Sequence, residues 1–260
     1  MGKLHLRLAA LACAAALPGL ASAFTIFDEF GAFPDATFGG TGIPNDAVAA
    51  SRQFIDGENI ITVAMNATGR FSNPQLSNNG AGVYFAGPGS NFGGNGESTS
   101  EGALWNWNYY IDISNVDPNL APTKVLADYQ IDLWYDFDPD GPRICCDLTG
   151  SGRIDLTQSL LFSLPGTGGP GSTLEEGSQN LLFSFLATDS APFLFAPSGA
   201  FDSSALGNYQ FAITVSTGGI INFPVEAVAM EVQVVPVPAA VWLFGSALGL
   251  LAWVRRRIDT

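Results

Sequence analysis

Histidine is all but missing from this chain of 260 residues: there is one, His5. Beyond it no Ser-His or Cys-His pair can form for nucleophilic catalysis, and a zinc site of the usual kind has no imidazole to use. Cysteine is nearly as scarce, with Cys13 near the start and the adjacent pair Cys145 and Cys146. Neighbouring Cα atoms lie about 3.8 Å apart and an ordinary disulfide prefers about 5.5 Å, so that pair cannot make a normal bridge. A strained vicinal disulfide, an intermolecular link and two free thiols remain, and an oxidising compartment favours the first. Cations are few. Between Phe24 and Val235 five of them (Arg52, Arg70, Lys124, Arg143 and Arg153) face 23 acidic residues, which leaves −18. Such a surface repels nucleic acid and anionic lipid and attracts divalent cations. Sustained helical periodicity is also lacking over residues 24–234.

What the chain does have is concentrated at its ends. Near the C-terminus Val235-Pro236-Val237-Pro238 precedes an uncharged apolar run, 239–254, which is followed by Arg255-Arg256-Arg257. Sixteen residues of helix span roughly 24 Å, short of a hydrocarbon core of about 30 Å, so residues 235–238 belong in the interface. The Arg cluster places the C-terminus in the cytoplasm and the rest of the chain outside. Trp242 and Trp253 stand near the two ends of the run, where indoles prefer the headgroup zone. Gly245 and Gly249 make a small-xxx-small face for helix packing, or simply reflect how common Gly is in such helices. A buried core helix would explain neither the Pro pair nor the triple Arg. At the other end Lys3 and Arg7 precede the apolar stretch 8–17, Pro18-Gly19 breaks it, and Ala21-Ser22-Ala23 forms a small-x-small cleavage site. Residues 1–23 therefore read as a signal peptide, with the mature chain starting at Phe24.

The run Val235-Pro236-Val237-Pro238-Ala239-Ala240-Val241-Trp242-Leu243-Phe244-Gly245-Ser246-Ala247-Leu248-Gly249-Leu250, with its Arg cluster, resembles the PEP-CTERM sorting signal of Gram-negative bacteria. Val237 stands where that family most often has Glu. The resemblance covers about a tenth of the chain (235–260) and implies an exosortase substrate. Such a protein is exported, held in the inner membrane with its C-terminus cytoplasmic, then processed and delivered to the cell surface or the exopolysaccharide matrix.

Between the two signals, short apolar or alternating runs recur among Gly, Pro and Asn clusters, which is a strand pattern. The expected strands are 24–27, 60–66, 82–86, 104–113, 125–137, 154–162, 180–186, 209–216 and 225–234, with Gly-rich loops at 87–99 and 164–177. Together they predict an all-β domain over 24–234, an antiparallel β-sandwich of jelly-roll or immunoglobulin-like kind. A signal peptide precedes it and one C-terminal transmembrane helix follows. The last strand runs straight into the sorting signal, so the domain is expected close to the bilayer.

Four constellations are weighed for possible chemistry. Asp136-Phe137-Asp138-Pro139-Asp140-Gly141 matches the opening of a calcium loop, with Asp136, Asp138 and Asp140 as ligands and Asp147 at position twelve. Asp in place of a bidentate Glu at that position, Pro142 and the absence of flanking helices favour an acidic turn at the end of a strand instead. Trp105, Trp107 and Tyr109 share one strand face, a core face more than a sugar platform. Trp134 alternates onto the face of Asp132 and Asp136, opposite Ile131, Leu133 and Tyr135, and is the candidate glycan contact. Gly166-x-Gly168-x-x-Gly171 has dinucleotide-loop spacing, but Pro170 removes an amide donor and no helix pattern follows. No catalytic residue is singled out. The expectation is a non-enzymatic structural or adhesive surface protein. A calcium- or glycan-binding module is the alternative, and a glycoside hydrolase using an unidentified carboxylate pair is a distant third.

Overall fold

A computed structural model describes residues 25–34, 36–39, 47–71, 76–93, 100–139, 150–217 and 226–236. It is all-β with almost no helix. One sheet runs in the order β1 (Glu29–Ala32), β2 (Val48–Asp56), β3 (Asn59–Gly69), β8 (Trp105–Asn115), β11 (Leu174–Gln179). A second runs β12 (Leu194–Phe195), β10 (Gly152–Asp155), β9 (Tyr129–Tyr135), β13 (Gly207–Thr217), β14 (Glu226–Val234), β5 (Val83–Ala86), β4 (Ser77–Asn78). A hairpin of β6 (Ser90–Phe92) and β7 (Glu101–Ala103) stands apart from both. The pairs are antiparallel except β14 with β5, which is parallel. This corrects the expectation of antiparallel sheets throughout. β5 and β14 are far apart in sequence, so no tight turn dictates their relative direction.

Alternate residues of the long strands fill one core between the two sheets. Ile61, Val63 and Met65 of β3 and Trp105, Trp107 and Ile111 of β8 face Leu133 and Tyr135 of β9, Phe211 and Ile213 of β13, and Val228, Met230 and Val232 of β14. Trp107 stacks on Phe211 with centroids 5.1 Å apart, and Trp105 meets the same ring edge-on at 5.9 Å. The stripe Trp105-Trp107-Tyr109 is therefore a core face. The outer face of the first sheet is covered in turn. Phe33, Ala36 and Phe38 pack over Ala49, Ala64 and Tyr110, and the Glu176 carboxylate accepts the Thr37 and Phe38 N–H groups at 3.0 and 2.8 Å.

Two expected strands are something else. The stretch 154–162 begins as β10 but turns into α1 (Leu156–Leu161), because the Asp155 side chain caps the helix by accepting the Gln158 N–H at 2.9 Å. Leu156 and Leu160, four apart, then bury one face of that helix. The stretch 180–186 is a turn followed by a 3-10 helix (Ser184–Ala187). Asn180, fully buried, replaces a strand partner there: its Oδ1 accepts the Ala103 and Leu182 N–H groups, and its Nδ2 reaches the Ala103 and Trp105 carbonyls. Both expected Gly-rich loops contain strand, as β6 and as most of β11. Among the described residues no helix is long and apolar enough to cross a membrane. The segments 1–23 and 239–254 lie outside the described residues.

Candidate functional site

The edge strand β11 leaves the core unfilled. Its register places Glu175, Gly177 and Gln179 opposite Ile111, Tyr109 and Trp107 of β8, so these three share the core-facing side. An acid, a glycine and an amide cannot fill an apolar layer. The Tyr109 ring lies across Gly177, where a Cβ would come within 2.7 Å of it. The Glu175 carboxylate turns away to accept the Gly168 N–H at 2.9 Å, which pins the 164–171 loop. Burial pushes the Glu175 carboxyl above the usual range, against the downward pull of that bond.

The space left over is a cleft of about 770 Å³ between Tyr109 and Gln179 on one side and Leu133, Ile154 and Leu156 on the other. Two loops frame it. One follows α1, with Leu164, Pro165 and Thr167, and the other carries Phe183, Phe185 and Phe193. The Tyr135 hydroxyl holds the second loop by donating to the Leu186 carbonyl at 2.7 Å. Thr157 of α1 anchors the first to the sheet, accepting the Ile131 N–H and donating to the Tyr129 carbonyl. None of the described residues lining the cleft carries a charge.

Two polar groups in the cleft are unspent. Gln179 Oε1 is buried without a hydrogen-bond partner. The Tyr109 hydroxyl has no hydrogen-bond partner among the described residues, although Tyr109 is only 5 % exposed. Burial, followed by the nearby Glu175 and Glu176 charges, drives the Tyr109 pKa far upward, so its O–H stays a donor. Sequence reasoning missed this cleft. The available signal was the alternation Glu175, Gly177, Gln179, which is legible only once the segment is known to be a strand.

The candidates named from sequence lie elsewhere. Trp134 does face away from the core, beside Asp132 and Asp136 on β9. It is covered, however, by Ile26, Ala212 and Ala229, with 7 % of the residue exposed. Its Nε1–H donates to Thr214 Oγ1 at 3.0 Å, and the Arg153 guanidinium lies 5.9 Å from its ring. Asp136 is buried and its Oδ1 accepts the Asp138 N–H at 3.0 Å, closing a local turn. Asp140, the third calcium candidate, lies outside the described residues. Among the described residues no group of three His, Cys, Asp or Glu is arranged to hold a metal ion.

The structure brings together one carboxylate pair that the sequence did not single out. Asp132 and Asp155 are register partners on β9 and β10. Asp155 caps α1, while Asp132 accepts from Arg153 at 3.3 Å and from Gln130 at 3.1 Å. Burial pushes the Asp132 carboxyl up to about 6, with Arg153 pulling down and Asp155 pushing further up.

Of the expected sorting motif, Val235 and Pro236 are described, and the Val235 N–H continues the sheet by donating to the Ala86 carbonyl at 3.0 Å. Val237, Pro238, Arg255, Arg256, Arg257 and the expected cleavage residues Ala21 and Ala23 lie outside the described residues. Comparison with family models, with curated proteins and with solved structures returned no match to this chain.

Proposed function

We propose that this chain is an exported surface or matrix protein, an exosortase substrate whose β-sandwich, of jelly-roll or immunoglobulin-like kind, has a structural or adhesive and non-enzymatic role. The observation that carries this reading is the junction at Val235. β14 is an interior strand, paired over nine residues with β13 and over four with β5. The ladder extends into the first residue of the sorting motif, so no linker separates the domain from the tail. Tension on such a tail is resisted by two hydrogen-bonded ladders in shear, as suits a module anchored first to the inner membrane and then to exopolysaccharide.

The test is fractionation of the native producer together with peptide mapping of both termini. The expected product begins at Phe24 and is found in the membrane, surface or matrix fractions. Replacing Arg255, Arg256 and Arg257 by Glu, which reverses the charge on which orientation depends, should block delivery. Full-length protein in the cytosol, uncut at either end, overturns the reading.

A further inference from the structure

We propose that the cleft beside β11 binds a neutral, predominantly apolar small molecule that carries a hydrogen-bond donor next to an acceptor. This site is independent of the sorting signal and of Trp134, and it holds whether or not the chain is anchored.

Three observations converge on that chemistry. The first is size: about 770 Å³ falls within the range of small-molecule sites and far exceeds a packing defect. The second is charge. Among the described residues no acid or base lines the cleft, so an ion entering it would lose its hydration and find no counter-ion there. The surrounding domain carries −18, which further disfavours an anion. The third is the pair of unspent groups. Gln179 and Tyr109 sit on adjoining strands, one alternation apart on the same face. Gln179 Oε1 can only accept, and the protonated Tyr109 hydroxyl can donate. A ligand group that donates to the first and accepts from the second satisfies both, and a carboxamide does so. The apolar part of the ligand would then lie against Leu133, Ile154 and Leu156, with Phe185 at the rim, about half exposed.

A buried acceptor left without a partner normally costs about 1–3 kcal/mol. The fold retains that cost at Gln179, on the strand that borders the cleft.

The isosteric pair 2-naphthamide and 2-naphthoate tests the proposal. They share a ring system, but only the amide is neutral and able to donate. Each is titrated calorimetrically into the full chain in detergent, with protein-free micelles as the blank. Salt at about 0.5 M shortens the screening length to a few ångströms and suppresses general repulsion of the anion. The expected result is one saturable site for the amide and affinity at least about tenfold weaker for the carboxylate. Gln179→Leu should weaken the amide about tenfold without lowering the melting temperature. Phe185→Asp, an exposed position that leaves the core intact, should weaken it by a similar factor through an added rim charge. Equal binding of the two probes, non-saturable uptake, or amide binding unchanged in both variants overturns the proposal. So does binding of a neutral hexasaccharide with none of the amide, which would make the cleft a sugar site.

Discussion

At Asp132 two electrostatic effects oppose each other. Arg153 stabilises the carboxylate, while burial at 2 % exposure penalises it, and burial wins, with the carboxyl held near 6. Its folded pKa is thus raised above its unfolded value of about 3.8. The stabilising contribution of the protonated form is fully present below that unfolded value and is lost as pH rises through about 6. Asp132→Asn mimics the neutral acid. It should leave stability unchanged near pH 4 and raise it by about 2–3 kcal/mol at pH 7, as read by urea unfolding across the pH range. A gain that is equal at both pH values would mean that packing, not ionisation, is responsible. Asp56 has the opposite sign. Its hydrogen bond to Lys124, only 2.5 Å long, holds its carboxyl below the usual range, so its contribution fades in acid. Trp105 and Trp107 show the cost of an aromatic core. Both indole N–H groups are buried with no acceptor, a loss offset by ring contacts with Tyr209 and Phe211.

Elements in this fold end where a polar side chain takes over backbone hydrogen bonds. Asp155 ends β10 and starts α1, and Asn180 ends β11 and joins it to β7 and β8. Asn180→Ala would leave the Ala103 N–H and two carbonyls without partners inside the protein. It is expected to cost about 3 kcal/mol in urea unfolding, whereas Asn106→Ala, at a half-exposed partner of the same amide, should cost less than about half of that. If the two variants were equally destabilised, Asn180 would not be the centre of the network. The buried Arg70 plays a comparable part for the β6–β7 hairpin, donating to the Asn91 and Ser100 carbonyls while lying across Gly102, where a side chain would collide with the guanidinium. Gly39 approaches Gly177 so closely that a Cβ would fall 2.7 Å from its Cα, and Gly39 has φ of +65°. That contact brings the 36–39 segment down onto the sheet, where Glu176 fastens it.

Taken whole, the molecule has a marked excess of acid and its described chain ends meet on one strand. Ile26 and Ala229 exchange two backbone hydrogen bonds, so the start of the domain is bound to the strand that leads out of it. With −18 between Phe24 and Val235, mutual repulsion opposes the compact state. Raising sodium chloride from about 10 mM to about 150 mM should lift the melting temperature by a few degrees, since the screening length falls from about 30 Å to about 8 Å. No change, or a decrease, would mean that local ion pairs such as Arg52 with Asp28 and Glu226 outweigh the repulsion. The long strands β3, β8, β9, β13 and β14 were legible in sequence because alternation against a common core is a local pattern. So were the class of fold, the Trp stripe as core and the acidic balance, each a matter of composition or of a period of two. β11 was not legible: Glu175, Glu176 and Gly177 have little intrinsic preference for a strand, and pairing with β8 alone makes them one. The turn at Asn180 was hidden for the converse reason, since Leu181, Leu182 and Phe183 look like strand until a buried amide captures the backbone. The cleft belongs to the tertiary structure entirely. Whether Gln179 and Tyr109 face a void depends on register across two strands and on loops more than fifty residues from Tyr109, and no local pattern in the chain encodes a gap between them.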